Sequence, residues 1–536
     1  MKKLYLNAVI HSIEMPDATA MLVEDDKIAW LGNSEIAKTF IDDQLEVFDC
    51  EDKYIITPGF VDSHAHITEA GVVIDSIDLS NCKNAREVLD KVATVKGKKK
   101  IIGHSWDEEQ WEDSRFPSLG ELENAGNGAD VYLARVDLHS ALISSGLAAK
   151  ISAAKYPGWD NTSHVTNQAN EKVRDYIRSY TPAERKNYQK HSFKAAASNG
   201  IVAIGEMNGL HEGTVADLDI LFSHENSPEI LLYWAQLMES PEQVKEFLTE
   251  HNKYNIRGLA GDLNIDGSVG SRTAFLQEDY TDAKTKGSKY LDRDQVAKHL
   301  IATTLAGVQG GFHIIGDAAM LEAIEGAKLA AKEVGKDRFI AAMHRFEHAE
   351  MVASEHFKVF KDLNITASMQ PTFDAWWGSE GGLYETRLGE RSAQMNQLAT
   401  FMDNGVLLAF GSDTPVTPYN PWRTVAAALF HHNVAERISA RAAFNAHTKS
   451  GWRAAKEPNP MRGVIAVGAP ADFAVWECDE LAIQTVDETT GAKEFGSWSA
   501  DEQARTPILP MVTDSEVQDI QCVETVLAGN LLHSRS

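Results

Sequence analysis

Eight apolar, β-rich runs, most of them separated by room for one helix, constrain this chain more than any other feature. They occupy residues 55–66, 201–207, 230–236, 258–266, 308–315, 339–348, 365–370 and 406–412. Strands that alternate with helices form βα units, and βα units build a parallel sheet. The gap between the first two runs is far longer than the others, so residues 70–195 read as an insertion. Without those 126 residues, the segment 56–455 retains 274, close to the ~250 typical of an eightfold barrel. The expected fold class is therefore α/β, a (β/α)8 TIM-type barrel over 56–455 with a large insertion after its first strand. Catalytic groups of such barrels collect at the C-terminal strand ends, and the insertion leaves from one of these. It is expected to cap the active face.

The two ends of the chain read differently. Short strands at 4–10, 20–24, 28–31 and 45–49 fill residues 1–55, with Asp25-Asp26 as turn residues. The pattern returns at 463–468, 471–476 and 523–528 within 456–536. The two segments are expected to pair into one small β-sandwich, with 485–513 as an exposed loop.

Charge and cysteine usage narrow the partners. The formal charge is −27, which disfavours nucleic acid and anionic membranes, since both require a basic surface. A small-molecule substrate is the expected partner, and homo-oligomerisation is possible, with nothing in the residues specifying its symmetry. Cys50, Cys82, Cys478 and Cys522 lie far apart with no C-x-x-C pair, which fits a reducing, cytoplasmic setting. No signal-peptide pattern opens the chain, and no apolar run approaches the ~18 residues of a membrane span.

The chemistry-bearing residues stand at the ends of the runs. His64 and His66 close the first, and period-2 alternation turns both imidazoles the same way. His313, beside Gly310-Gly311, closes the fifth run, and His348, in Arg345-Phe-Glu-His, closes the sixth. His344 shares strand parity with His348 and reads as core. A single histidine is more often structural than a ligand. Four of them at three strand ends point to a metal, since imidazole is the commonest zinc ligand and a catalytic ion needs about three protein ligands. Asp413, in Gly411-Ser-Asp-Thr-Pro415, ends the eighth run. It can ligate a metal and accept a proton as general base, or cap a turn. Trp106, Asp107 and His139 in the insertion, and Arg272 after the fourth strand, are candidate substrate contacts.

With these residues in order, the chain resembles the amidohydrolase superfamily, and its terminal β segments resemble that superfamily's urease-type sandwich. Gly103-His-Ser-Trp-Asp107, Leu138-His-Ser-Ala141, Asp266-Gly-Ser-Val-Gly-Ser-Arg-Thr273 and Gly411-Ser-Asp-Thr-Pro415 are similar to the branch containing N-substituted formamide deformylases. Many members of the superfamily carry a strand-four lysine whose carboxylated form bridges two metals. Here that position is Asp262, too short to reach the same point unless the backbone moves inward. Glu206 is a second candidate carboxylate.

The resemblance implies a divalent metal, zinc first, held by His64, His66, His313, His348 and Asp413, with one ion preferred and two open. The implied activity is hydrolysis of a non-peptide C–N bond in an amide, formamide or N-acyl amine. A metal-bound hydroxide would attack, with Asp413 as base and His348 assisting. The alternatives are deamination of a ring or amidine carbon, and a catalytically silent ligand-binding barrel.

Overall fold

In the computed structural model, residues 2–108, 111, 115–135, 140–209, 215–482, 484–486, 493–495, 507–513, 517 and 519–535 are described. Eight parallel strands run in chain order around one sheet: β1 (Phe60–Ala65), β2 (Ile201–Gly209), β3 (Glu229–Ala235), β4 (Gly258–Leu259), β5 (Gln309–Ile314), β6 (Arg345–His348), β7 (Thr366–Met369) and β8 (Leu408–Phe410). Each pairs with the next. The sheet closes on itself just beyond β8, where Ala65 bridges Thr414. There Asp413 N donates to His64 O at 2.8 Å and His66 N to Thr414 O at 2.9 Å. Gly411 makes this approach feasible, because a Cβ at that position would stand 2.5 Å from His64 N.

All six residues of β1 are buried, although three of them are Asp62, Ser63 and His64. Buried polar groups require partners. Asp62 Oδ1 accepts from Ser412 N at 3.0 Å and His64 N at 3.3 Å, tying β1 to the segment after β8.

Three of the eight runs differ from their expected form. The first is two strands, Tyr54–Pro58 and β1, broken at Gly59, where a Cβ would stand 2.3 Å from Val202 Cγ1. Tyr54–Pro58 joins the sandwich by pairing antiparallel with Phe473–Glu477. The sixth opens as a helix, Lys336–Ala342, which ends at Met343 in the left-handed region (φ 53°). Its Ala-rich stretch carries helix propensity, so His344 precedes the strand. His344 is nevertheless core: Gly310 N donates to its Nδ1 at 2.9 Å, and its Nε2 lies 2.8 Å from Thr304 Oγ1. The fourth run is strand only at Gly258–Leu259, and Gly261 (φ 88°) turns the chain immediately afterwards.

The terminal segments form two sheets. One is ordered Lys27–Gly32, Ala20–Glu24, Lys2–Leu6, Glu46–Asp49, and the other Val9–Ile10, Tyr54–Pro58, Phe473–Glu477, Gln521–Leu527, Asn530–Ser534. Tyr5, Met21 and Ile28 from the first share a core with Ile56, Phe473, Val475 and Val526 from the second, which makes a β-sandwich. Of the loop at 485–513, much lies outside the described residues. Gln484–Val486 and Lys493–Phe495 form a two-stranded pair.

Met1–His66 with Phe193–Ser536 make one compact unit, and Ile67–Ser192 another. The second contains a five-stranded sheet ordered His164–Thr166, Ser140–Ile143, Asp130–Arg135, Lys100–Trp106, Ile77–Asp78. Alternation along Asp130–Arg135 sends Val131 and Leu133 into one core cluster and Tyr132 and Ala134 into another. Both faces of that sheet are therefore covered. Among the described residues, no helix is long and apolar enough to cross a membrane.

Candidate metal centre

The hydrogen bonds that close the barrel also assemble the site. Because Asp413 is pinned by its backbone to His64, its carboxylate reaches both imidazoles of the H-x-H pair. Asp413 Oδ1 lies 3.5 Å from His64 Nε2 and 3.3 Å from His66 Nε2. Asp262 approaches from β4, with Oδ2 3.3 Å from His66 Nε2 and Oδ1 3.6 Å from His64 Nε2 and 3.9 Å from His313 Nδ1. The turn at Gly261 carries this shorter side chain to the centre. His348 completes the group, its Nδ1 4.0 Å from Asp413 Oδ2. Three triads arise, His64/His348/Asp413, His64/His66/Asp262 and Asp262/His313/His348, with ligand atoms in each within 4.8 Å of one another. His348 (φ 69°) and Asp413 (φ 55°) both stand in the left-handed region, where non-glycine residues cluster at functional sites.

Beneath the imidazoles lies a charged support. His64 Nδ1 donates to Glu347 Oε2 at 2.9 Å, which leaves Nε2 as the lone-pair atom facing the centre. Arg345 grips both Glu347 oxygens at 2.5 and 2.9 Å, and donates to Ser63 O at 2.8 Å and Ser368 Oγ at 2.9 Å. Its guanidinium carbon lies 4.2 Å from the Tyr233 ring centroid. His348 is set in turn by Gln370, whose Oε1 accepts from Nδ1 at 2.8 Å.

Electrostatics show what the centre lacks. Burial would raise Asp413, but His64, a hydrogen bond from His66, and His348 hold it down at about 2. Burial, with His313 and His64 nearby, pushes His348 down to about 4, so its ring is neutral at pH 7. Burial disfavours charge on Glu347 as well, and Arg345 and His64 outweigh it and depress its pKa. Arg345 pairs with Glu347, while Asp262 and Asp413 face the imidazoles of His64, His66, His313 and His348. His64 Nε2 and Asp262 Oδ1 are buried without hydrogen-bond partners, and their 3.6 Å separation is too long for one between them. A divalent cation satisfies both atoms and the excess negative charge, so the donor set fits a metal of mixed nitrogen and oxygen preference.

The expected substrate contacts have other partners. In the second unit, Trp106 is fully buried in a hydrophobic cluster and donates from Nε1 to Leu133 O at 2.8 Å. Asp107 Oδ1 lies 3.3 Å from Arg135 Nη2. Arg272 in the first unit forks onto Asp282 at 3.0 and 2.7 Å, bracing its loop. His139 lies outside the described residues. Glu206 is buried and accepts from Asn208 Nδ2 at 3.1 Å.

The sequence profile described as "Amidohydrolase family" matches residues 46–533. The chain belongs to the amidohydrolase family. Protein LONG AFTER FAR-RED 3 of Arabidopsis thaliana is 27% identical to it over 506 residues, covering 86% of this chain and 84% of that protein. N-substituted formamide deformylase of Arthrobacter pascens is 20% identical over 522 residues, covering 90% of this chain and 94% of the relative. Among solved structures, an uncharacterized metal-dependent hydrolase from Pyrococcus furiosus aligns with a TM-score of 0.73 and 25% identity, over 89% of this chain and 99% of that one. This amidohydrolase is accordingly a hydrolase with a site for a divalent metal.

Arg345 and Glu347 escaped the sequence reading. Their signal was two ionisable residues of equal parity in a four-residue strand that is buried throughout, a pattern that obliges them to pair. In this amidohydrolase, Glu347→Gln keeps the side-chain shape, weakens the orienting bond to His64 and leaves buried Arg345 without its counter-charge, so the comparison is made on protein verified as folded. Zinc affinity, measured by chelator competition, is expected to fall about 10–100-fold. An unchanged affinity would show that Glu347 does not orient the ligand.

Proposed function

We propose that this chain hydrolyses a non-peptide C–N bond in a small amide, formamide or N-acyl amine, with Asp413 as general base. A triad drawn from His64, His66, His313, His348, Asp262 and Asp413 would hold one divalent ion, zinc by preference, with a position left for water. When bound, such an ion supplies Lewis acidity, activating water near neutral pH and polarising a carbonyl. Asp413 takes the proton of the attacking water on its carboxylate and passes it to the departing nitrogen, so one group serves both half-reactions. Neutral His348, fixed by Gln370 through its Nδ1–H, turns Nε2 as its lone-pair atom to the same centre. Arg345 and Glu347 keep His64 in one tautomer throughout.

The observation that carries this reading is the Asp413 carboxylate within 3.3–3.5 Å of both H-x-H Nε2 atoms, locked there by the barrel's own closure. The similarity to an N-substituted formamide deformylase supports an amide-type substrate. The test is turnover by metal-stripped protein reloaded with zinc, screened against formamides, N-acyl amines and cyclic amidines. Release of carboxylate or formate together with amine is expected at one bound zinc per chain. Ammonia release from amidines alone would favour deamination, and two tightly bound equivalents would overturn the single ion.

A further inference from the structure

Asp266 opens the Asp-Gly-Ser motif shortly after Asp262 and is fully buried, its carboxylate held by backbone N–H groups. Oδ1 accepts from Ile315 N at 3.0 Å, and Oδ2 from Gly316 N at 2.7 Å and Phe275 N at 2.8 Å. Gly316 caps the helix Asp317–Val334, and a carboxylate is favoured at a helix N-terminus. The loop after Asp266 folds over the same end. Phe275 O accepts from Ala318 N at 3.1 Å and Ala319 N at 3.3 Å, and a Cβ on Gly316 would stand 2.1 Å from Phe275 O. These contacts enclose His313. His313 N donates to Leu263 O and Ile265 N to His313 O, both at 3.1 Å, which fixes the histidine backbone against the segment joining Asp262 to Asp266. Its Nε2 lies 3.3 Å from Gly267 O. A carbonyl only accepts, so Nε2 carries the proton and Nδ1 is the lone-pair atom, 3.9 Å from Asp262 Oδ1.

We propose that Asp266 is a positioning residue of the metal centre: by tying the segment after β5 to the loop that carries Gly267, it holds His313 in the ring orientation that directs Nδ1 at the ion. This role rests on the metal-centre reading above, with His313 in the ligand triad, and is independent of the bond hydrolysed. The position demands a carboxylate, because asparagine offers one acceptor oxygen and one NH2 group. Either orientation of that amide sets NH2 against the N–H of Ile315 or against those of Gly316 and Phe275. The loop then moves away from β5, and Gly267 O moves with it.

The test is a double-mutant cycle on zinc affinity, measured by chelator competition with no substrate present. Asp266→Asn is expected to weaken zinc binding about 10–100-fold, the usual effect of losing a group that orients a ligand. His313→Ala should weaken it at least as much. Adding Asp266→Asn to His313→Ala should then change the affinity by no more than about twofold, because the two residues act through one ligand. Equal losses from Asp266→Asn in both backgrounds would make Asp266 a structural residue only and overturn the proposal. Zinc affinity unmoved by either single substitution would overturn it as well. If Asp266→Asn does not fold, NMR of zinc-loaded wild-type protein with isotope-labelled histidine decides, His313 being assigned by His313→Ala. A protonated Nε2 shielded from solvent exchange, with Nδ1 ligating, is the expected result, and a ligating Nε2 overturns the proposal. Absence of zinc binding by the wild type would reject the metal centre and this role together. Amide turnover enters none of these readouts, so failure of the amide reading and failure of this role are told apart.

Discussion

Asp413→Asn is expected to lower kcat by roughly 10²–10⁴-fold, the usual contribution of a positioned general base. The carboxamide is nearly isosteric, and the contact that closes the barrel runs through the Asp413 backbone N–H to His64 O, so the substitution leaves that closure in place. What disappears is the proton acceptor held at about 2 by His64, His66 and His348. Substrate affinity should stay within a few-fold, placing the loss in kcat rather than KM, as for an interaction made mainly in the transition state. Because Asp413 also faces the metal, zinc content is measured on the same sample. Near-wild-type turnover with zinc retained would remove Asp413 from its proposed role.

Arg345→Ala is expected to destabilise the first unit by about 3–5 kcal/mol, the usual cost of leaving a buried charge without its partner. Glu347 is fully buried, and two of its three close contacts come from Arg345. The same truncation abandons Ser63 O and Ser368 Oγ and empties the space over Tyr233. Arg345→Lys preserves the charge but not the fork, so it should recover only part of the loss. Urea unfolding followed by tryptophan fluorescence measures both variants. A midpoint for Arg345→Ala equal to wild type would show that Glu347 needs no buried counter-charge.

The four histidines and Asp413 were legible because a parallel barrel presents its strand ends on one face, and the H-x-H spacing turns two rings the same way. Asp262 was harder to place. Its reach depends on a left-handed glycine that takes the chain out of the sheet after two residues, and periodicity does not register such a turn. Trp106, a motif residue expected to contact substrate, fills a hydrophobic cluster in the second unit. The strand expected over 339–343 is helix up to Ala342, because a short buried apolar run carries no period that separates strand from helix. The parity of Arg345 and Glu347 hints at their pairing, but their further partners, Ser63, Tyr233 and Ser368, lie on three other strands.

Local pattern thus sufficed for the barrel and the sandwich and for placing the four histidines and Asp413 at strand ends, because periodicity and strand-end position are properties of neighbours along the chain. The convergence of Asp262 and Asp413 on His64 and His66 and the support under His64 arise from β1 meeting the segment after β8 and from contacts between strands distant in sequence. Such contacts depend on through-space distance, which the order of residues does not encode locally.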